Sequence, residues 1–145
     1  MRGFSGIVAA ALLVAGCHKP AELGASGAWV RLPAVAANPG AAYFTVQGGD
    51  KDDTLLAVST PAALKAEMHE TMDHQGMKSM QPAHDIAVPA RGTLAFAPGG
   101  RHVMLFGIGP KVRPSARIPL ALAFASGKRL EVQAEVVGAG DPPPQ

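Results

Sequence analysis

Methionine and histidine are the residue types through which this chain could do metal chemistry, and they are unevenly placed. Beyond residue 17 the 145-residue sequence holds five Met and five His. Seven of these ten fall in one short stretch: Met68, His69, Met72, His74, Met77, Met80 and His84. Two more, His102 and Met104, stand two apart in a segment of β character, where alternate residues share one face about 6–7 Å apart. Thioether sulfur is soft and imidazole borderline, so the pair suits copper, Cu(I) above all. Zinc and calcium prefer thiolate, imidazole or carboxylate oxygen and gain little from Met. A thioether also forms no disulfide, which makes it a durable soft ligand in an oxidising compartment.

Blander roles compete for several of these residues. Met68 shares parity with Leu64 and Ala66 and reads as core. Met72, His74 and Met77 fall in what reads as a loop containing Asp73 and Gly76, where they are either secondary copper contacts or solvent-exposed. His84 reads as a surface histidine. Glu70 and Asp73 with His69 and His74 would make a His/carboxylate zinc site. No Ser-His-Asp order, phosphate loop or paired-carboxylate signature accompanies them, so the reading is a binding protein and not an enzyme.

The composition narrows the setting. Thirteen Lys and Arg against eleven Asp and Glu, with seven aromatics and no basic stripe, disfavour nucleic-acid binding. A single cysteine excludes an internal disulfide framework or a Cys-based zinc site. Its position is informative: Arg2 precedes an apolar run from Gly3 to Ala15, too short to span a bilayer but suited to a signal peptide. The run closes on Leu13-Val14-Ala15-Gly16-Cys17, which resembles a bacterial lipobox. That resemblance implies a signal peptide over residues 1–16 and lipidation of Cys17, so that the mature protein is anchored in a membrane on its periplasmic side. His18, where Asp would signal retention, favours the outer membrane. Residues 17–27 read as the lipidated tether, 28–137 as one β domain and 138–145, with three consecutive prolines, as a disordered tail.

The elements that must position the ligands are strands. Gly and Pro make up 30 of the 145 residues, which argues against long helices and for short strands between turns. Ala41–Gln47 is rich in β-formers. Ile118, Leu120, Leu122 and Phe124 alternate along one segment, and Leu130, Val132, Ala134 and Val136 along its partner across Ser126-Gly127-Lys128. Pro98-Gly99-Gly100-Arg101 reads as a turn joining Thr93–Ala97 to His102–Ile108. About eight such strands imply an all-β sandwich or barrel.

The spacing from His69 to Met80, His102 and Met104, H-x10-M-x21-H-x-M, resembles the copper motif of the PCu(A)C family of periplasmic copper chaperones. Ala28-Trp29-Val30-Arg31, Ala41-Ala42-Tyr43-Phe44-Thr45-Val46 and Pro98 through Leu105 are similar to that family's flanking segments. The resemblance implies a cupredoxin-like Greek-key β-barrel with His69, Met80, His102 and Met104 as the ligands of one Cu(I). It further implies delivery of copper towards the CuA centre of cytochrome c oxidase, alongside a thioredoxin-like copper assembly protein. The residues leave a copper storage or buffering protein as the alternative; a blue-copper electron carrier would need a Cys that the anchor has taken. Gly138–Gln145 lacks the His/Met-rich tail that many family members carry.

Overall fold

The computed structural model describes residues 16–145. The expected signal segment, residues 1–16, lies outside the described residues except for Gly16. Among the described residues every regular element is a strand. The strands are β1 (Gly24–Arg31), β2 (Gly40–Gln47), β3 (Asp53–Ser59), β4 (Ala63–His74), β5 (Met77–Pro82), β6 (Ile86–Val88), β7 (Thr93–Phe96), β8 (Arg101–Ile108), β9 (Arg117–Phe124) and β10 (Arg129–Val137).

Alternation drives the assembly. In β2 the residues are buried and half-buried in strict turn, and Ile118, Leu120, Leu122 and Phe124 of β9 are all buried. A strand that is apolar on every second residue must cover that face, and strands of this kind cover one another. They form one sheet in the order β5-β4-β8-β2-β1-β10-β9-β3-β6, with β7 pairing β2 beyond the stretch that pairs β8. The sheet bends round a single core containing Phe44, Leu55, Leu105, Leu120 and Leu122. Neighbours run antiparallel except β1 and β10, which pair in parallel with Trp29 opposite Glu135. Phe44 of β2 stands opposite Phe96 of β7 and their rings stack with centroids 4.5 Å apart.

The structure corrects the expectation of about eight strands. The stretch read as a loop around Met72, His74 and Met77 is a β-hairpin, β4 running on to His74 and returning as β5. Its turn is Gln75-Gly76, with φ of 55° and 85°, the left-handed pair that a two-residue hairpin requires. The carboxylate of Asp73 accepts the Gly76 N–H at 2.8 Å and holds the turn closed. Periodicity gave no warning because β5 is exposed throughout, and a strand without a buried face shows no apolar alternation. At the start, β1 opens at Gly24, inside the stretch read as tether, with a bulge between Ser26 and Trp29 where Gly27 takes a φ of 63°. At the end, the segment read as a disordered tail opens with a turn in which Asp141 Oδ2 accepts the Gly138 N–H at 2.8 Å.

One loop after β2 admits only glycine. Gly48 donates its N–H to Gly92 O at 2.7 Å, which brings it so close to the neighbouring loop that a Cβ would lie 2.0 Å from Pro89 O. The obstacle is backbone and cannot swing aside. Gly48→Ala is therefore expected to destabilise the fold by about 1–3 kcal/mol, as overpacking does. Urea unfolding should show a lower midpoint at unchanged slope, and an unshifted midpoint would show that the two loops are free to part.

Candidate metal centre

The outer face of the sheet where β4, β8 and β2 run side by side collects the candidate ligands. In β8 the parity is set by Val103 and Leu105, which are completely buried, so His102 and Met104 stand on the opposite face. In β4 the buried Met68 plays the same part and puts His69 outward. Met68 is thus core, as expected, although Leu64, which shared the parity that implied it, is 91% exposed. The ladder then pairs His69 with His102 and Glu67 with Met104. Directly paired residues of antiparallel strands lie on one face. Met80 of β5 is paired with Thr71, two residues on from His69, and so joins that face. Four side chains spread over the sequence from His69 to Met104 share one surface through two ladder registers.

Their environments differ. His69 and His102 are 9% and 7% exposed, with ring centroids 5.9 Å apart and planes 27° from parallel. Met80 is 63% exposed on the edge strand. A cavity of about 380 Å³ is lined by Met80, His102 and Met104 together with Tyr43 and Thr71. His69, whose ring stacks beside that of His102, does not line it. Tyr43 closes one side with its ring 4.4 Å from that of Trp29, over which Arg31 lies. Burial pushes the Tyr43 hydroxyl upward, against a smaller opposing pull from Arg31, so it stays neutral.

The hydrogen bonds assign the imidazole tautomers. His69 Nε2 lies 3.2 Å from a carboxylate oxygen of Glu67, and an ionised carboxylate only accepts, so this nitrogen carries the hydrogen. His69 Nδ1 is buried without a hydrogen-bond partner. A lone pair out of water with nothing to accept is costly unless something binds it. At His102 the arrangement is reversed: Nδ1 lies 3.1 Å from Gly100 O and donates, which leaves the lone pair on Nε2. Each ring is held by one nitrogen and offers the other, the pattern of a metal-ligating histidine. Two bare imidazole nitrogens and two thioethers on one face fit a soft cation of low charge.

Glu67 itself is held below the usual carboxylate range, first by its hydrogen bond to Lys65 and then by that to His69. The Lys65 ammonium lies 2.5 Å from its other oxygen. Glu67 thereby remains an acceptor for His69 down to mildly acid pH. Its part was missed from the sequence, although its spacing of two from His69 in a strand carried the signal.

The remaining candidates are not brought to this face. Met72, His74 and Met77 lie on the other face of the β4–β5 hairpin, since Met72 pairs with Ser79 and His74 with Met77. The His/carboxylate zinc site is dismantled by parity: His69 and Asp73 face one way, Glu70 and His74 the other. Glu70 pairs instead with Arg101 at 3.0 Å, and among the described residues no three His, Cys, Asp or Glu side chains converge. His84 lines a separate cleft with Val58 and Met68. Cys17 is exposed and unbridged.

Comparison with known proteins places this arrangement in context. Residues 23–136 match the family model described as "Putative lipoprotein LpqE-like". The relative "Putative lipoprotein Lxx21020" of Leifsonia xyli subsp. xyli is 32% identical over 137 residues, covering 79% of this chain and 82% of its own. The solution structure of apo-DR1885 from Deinococcus radiodurans is similar at a TM-score of 0.60 and 25% identity, over 97% of this chain and 99% of that one. CuI-DR1885 from the same organism gives 0.60 at 28% identity, over 86% and 82%. The copper-bound PCuAC domain from PmoF2, at 0.64 and 21% identity over 83% and 99%, shares the fold. The rolled all-β sheet described above is thus the cupredoxin-like architecture of PCuAC domains.

The tautomer assignment is open to direct measurement. Long-range ¹H–¹⁵N spectra of the metal-free protein near pH 7.5 should show His69 protonated on Nε2 and His102 on Nδ1. Glu67→Ala should release His69 from that form and leave His102 unchanged. A His69 that keeps its tautomer in the variant would show that Glu67 does not set it.

Proposed function

The chain belongs to the family of LpqE-like lipoproteins, and from that premise we propose that it carries Cu(I) outside the cytoplasm as a lipid-anchored metallochaperone. The observation that carries this reading is the unpartnered Nδ1 of buried His69, in register with His102 and sharing a face with Met80 and Met104. Two relatives of the same fold are described as copper-bound or CuI forms. In this reading His69 binds through Nδ1, His102 through Nε2, and Met104 and Met80 through sulfur. All four donors are neutral, so the complex keeps the single positive charge of the ion. Cu(I), a soft d¹⁰ ion, is favoured over Zn(II), which would find neither thiolate nor carboxylate among the donors.

The burial gradient suits release as well as capture. The imidazoles are held in inner strands by Glu67 and Gly100, whereas Met80 stands on an exposed edge strand. An acceptor approaching that edge meets the thioether first. It can replace Met80 as a ligand while the histidines still hold the ion, so no bare copper need be released. The acceptor in this proposal is the CuA subunit of cytochrome c oxidase, with a thioredoxin-like copper assembly protein as a further partner. Copper storage for tolerance is the second reading, and the exposed thioethers at the edge favour transfer over it.

Cu(I) competition titrations test the ligand set. His102→Ala and Met104→Ala should each weaken binding by more than about a hundredfold, beyond what loss of an outer-shell partner costs. Met80→Ala should resemble them, while Met77→Ala and His74→Ala should leave the tightest binding unchanged. Equal losses across all five would point to a diffuse Met/His sponge, and so to storage. Incubation of the Cu(I)-loaded protein with an apo CuA domain should transfer copper, and retention would reject delivery.

The anchor has its own test. Cys17 is exposed at the head of the described chain, ahead of β1. Cys17→Ser should move the protein from the membrane to the soluble fraction with its Cu(I) affinity unaltered. Persistence in the membrane fraction would dismiss acylation at this residue.

A further inference from the structure

The β4–β5 hairpin has a second face. The ladder between β4 and β8 ends at the pair Glu70–Arg101, and from Met72 onward β4 is paired with β5 alone. Met72 and His74 keep the parity of Met68, which elsewhere points into the core, but here no core lies beneath them. Met72 is 38% exposed and Met77 76%. Their thioethers therefore do not serve packing, the usual reason for a methionine in a strand.

Register sets their spacing. His74 is directly opposite Met77, and Met72 is opposite Ser79, one pair further along the same face. Directly paired side chains begin about 5 Å apart and diagonal ones about 7–8 Å apart, within reach of long flexible arms converging on one ion. The Gln75-Gly76 turn, closed by Asp73, fixes His74 against Met77 before any ligand arrives. Met80 and Thr71 face the other way, so this cluster shares no donor with the first.

We propose that Met72, His74 and Met77 form a second site for a soft monovalent cation, Cu(I). The identity of the ion rests on the function proposed above, whereas the site rests on the hairpin's own geometry. With three donors in place of four, and open to water, it holds its ion more weakly than the first. The hairpin then bears soft sulfur on both faces, Met80 on one and Met72 and Met77 on the other.

The test is an anaerobic Cu(I) titration of the full chain carrying Cys17→Ser, since a free thiol would itself capture the ion. It is followed by ¹³C-methyl NMR of the methionines and by competition with a chromophoric chelator. Two equivalents should bind, the first moving the Met80 and Met104 methyls and the second those of Met72 and Met77. Met72→Leu/Met77→Leu, two exposed positions that the fold does not need, should lose only the second equivalent. His102→Ala/Met104→Ala should lose only the first. The proposal is overturned if the Met72 and Met77 methyls stay still through two equivalents, or if the double leucine variant keeps both. Movement of Met72 and Met77 with Met80 and Met104 stationary would instead reject the first ligand set and leave this site standing.

Discussion

The pairing of β4 with β8 governs both what is buried and what is displayed. Met68, Val103 and Leu105 lie inward and are almost fully covered. Each is worth about 1.5–3 kcal/mol in burial. Because side chains alternate with a period of two, a one-residue slip of β4 against β8 would carry Met68 into water and turn His69 inward, away from the face of His102 and Met104. The apolar residues therefore hold the polar ones in place: His69 stands opposite His102 because Met68 stands opposite Val103. No ion is needed to assemble the pair, and its imidazoles wait with their lone pairs assigned.

Much of this could be read in the residues, and the exceptions have physical causes. The alternation of Ile118 through Phe124 marked β9, and the spacing of two between His102 and Met104 placed both on one face. Those signals come from strands with one dry face and one wet face. The part of the β4–β5 hairpin from Met72 onward sent no such signal because neither of its faces is buried, and its Asp and Gly residues read as loop. The Gln75-Gly76 turn carries the hint, since a left-handed pair at that position closes a hairpin. The partnership of β1 with β10 in parallel was beyond any local pattern, because it joins the two ends of the domain. The ligand set came from the resemblance of four residues at three spacings to a family motif. Parity alone would have given His69, His102 and Met104 once the register was known, with Met80 following only after β5 was recognised.

Parity also decides between chemistries that composition leaves open. His69, Glu70, Asp73 and His74 lie close in sequence and could be imagined around one zinc ion in a loop. In a strand they divide two and two between faces separated by the backbone, and Glu70 is engaged by Arg101. What lines the cavity on the outer face is the sulfur of Met80 and Met104 with the imidazole of His102, while Asp73, on the same face further along the hairpin, accepts the Gly76 N–H. The nearest carboxylate, Glu67, points both oxygens elsewhere, one to Lys65 and one to His69. In the proposed site a hard ion would find no free carboxylate beside the imidazoles, so the ion pair with Lys65 would act on selectivity more than on stability. Exposed pairs of this kind contribute little to folding.

In the proposed site, the position of the sulfur donors at the rim would reconcile firm holding with release. A site built wholly from inner strands would bind tightly and let go slowly, because no incoming donor could reach the ion. Here the histidines are fixed by the ladder and by their second nitrogens, while Met80 belongs to a strand that has a neighbour on one side only. An edge strand is normally a liability, an open row of hydrogen-bonding groups that invites another chain. Lys78 and the closing Pro82 blunt that tendency in β5, yet the edge remains open enough for a partner to approach the thioether. The same exposure that left β5 invisible to apolar periodicity thus places its sulfur where, in the proposed function, ligand exchange would begin.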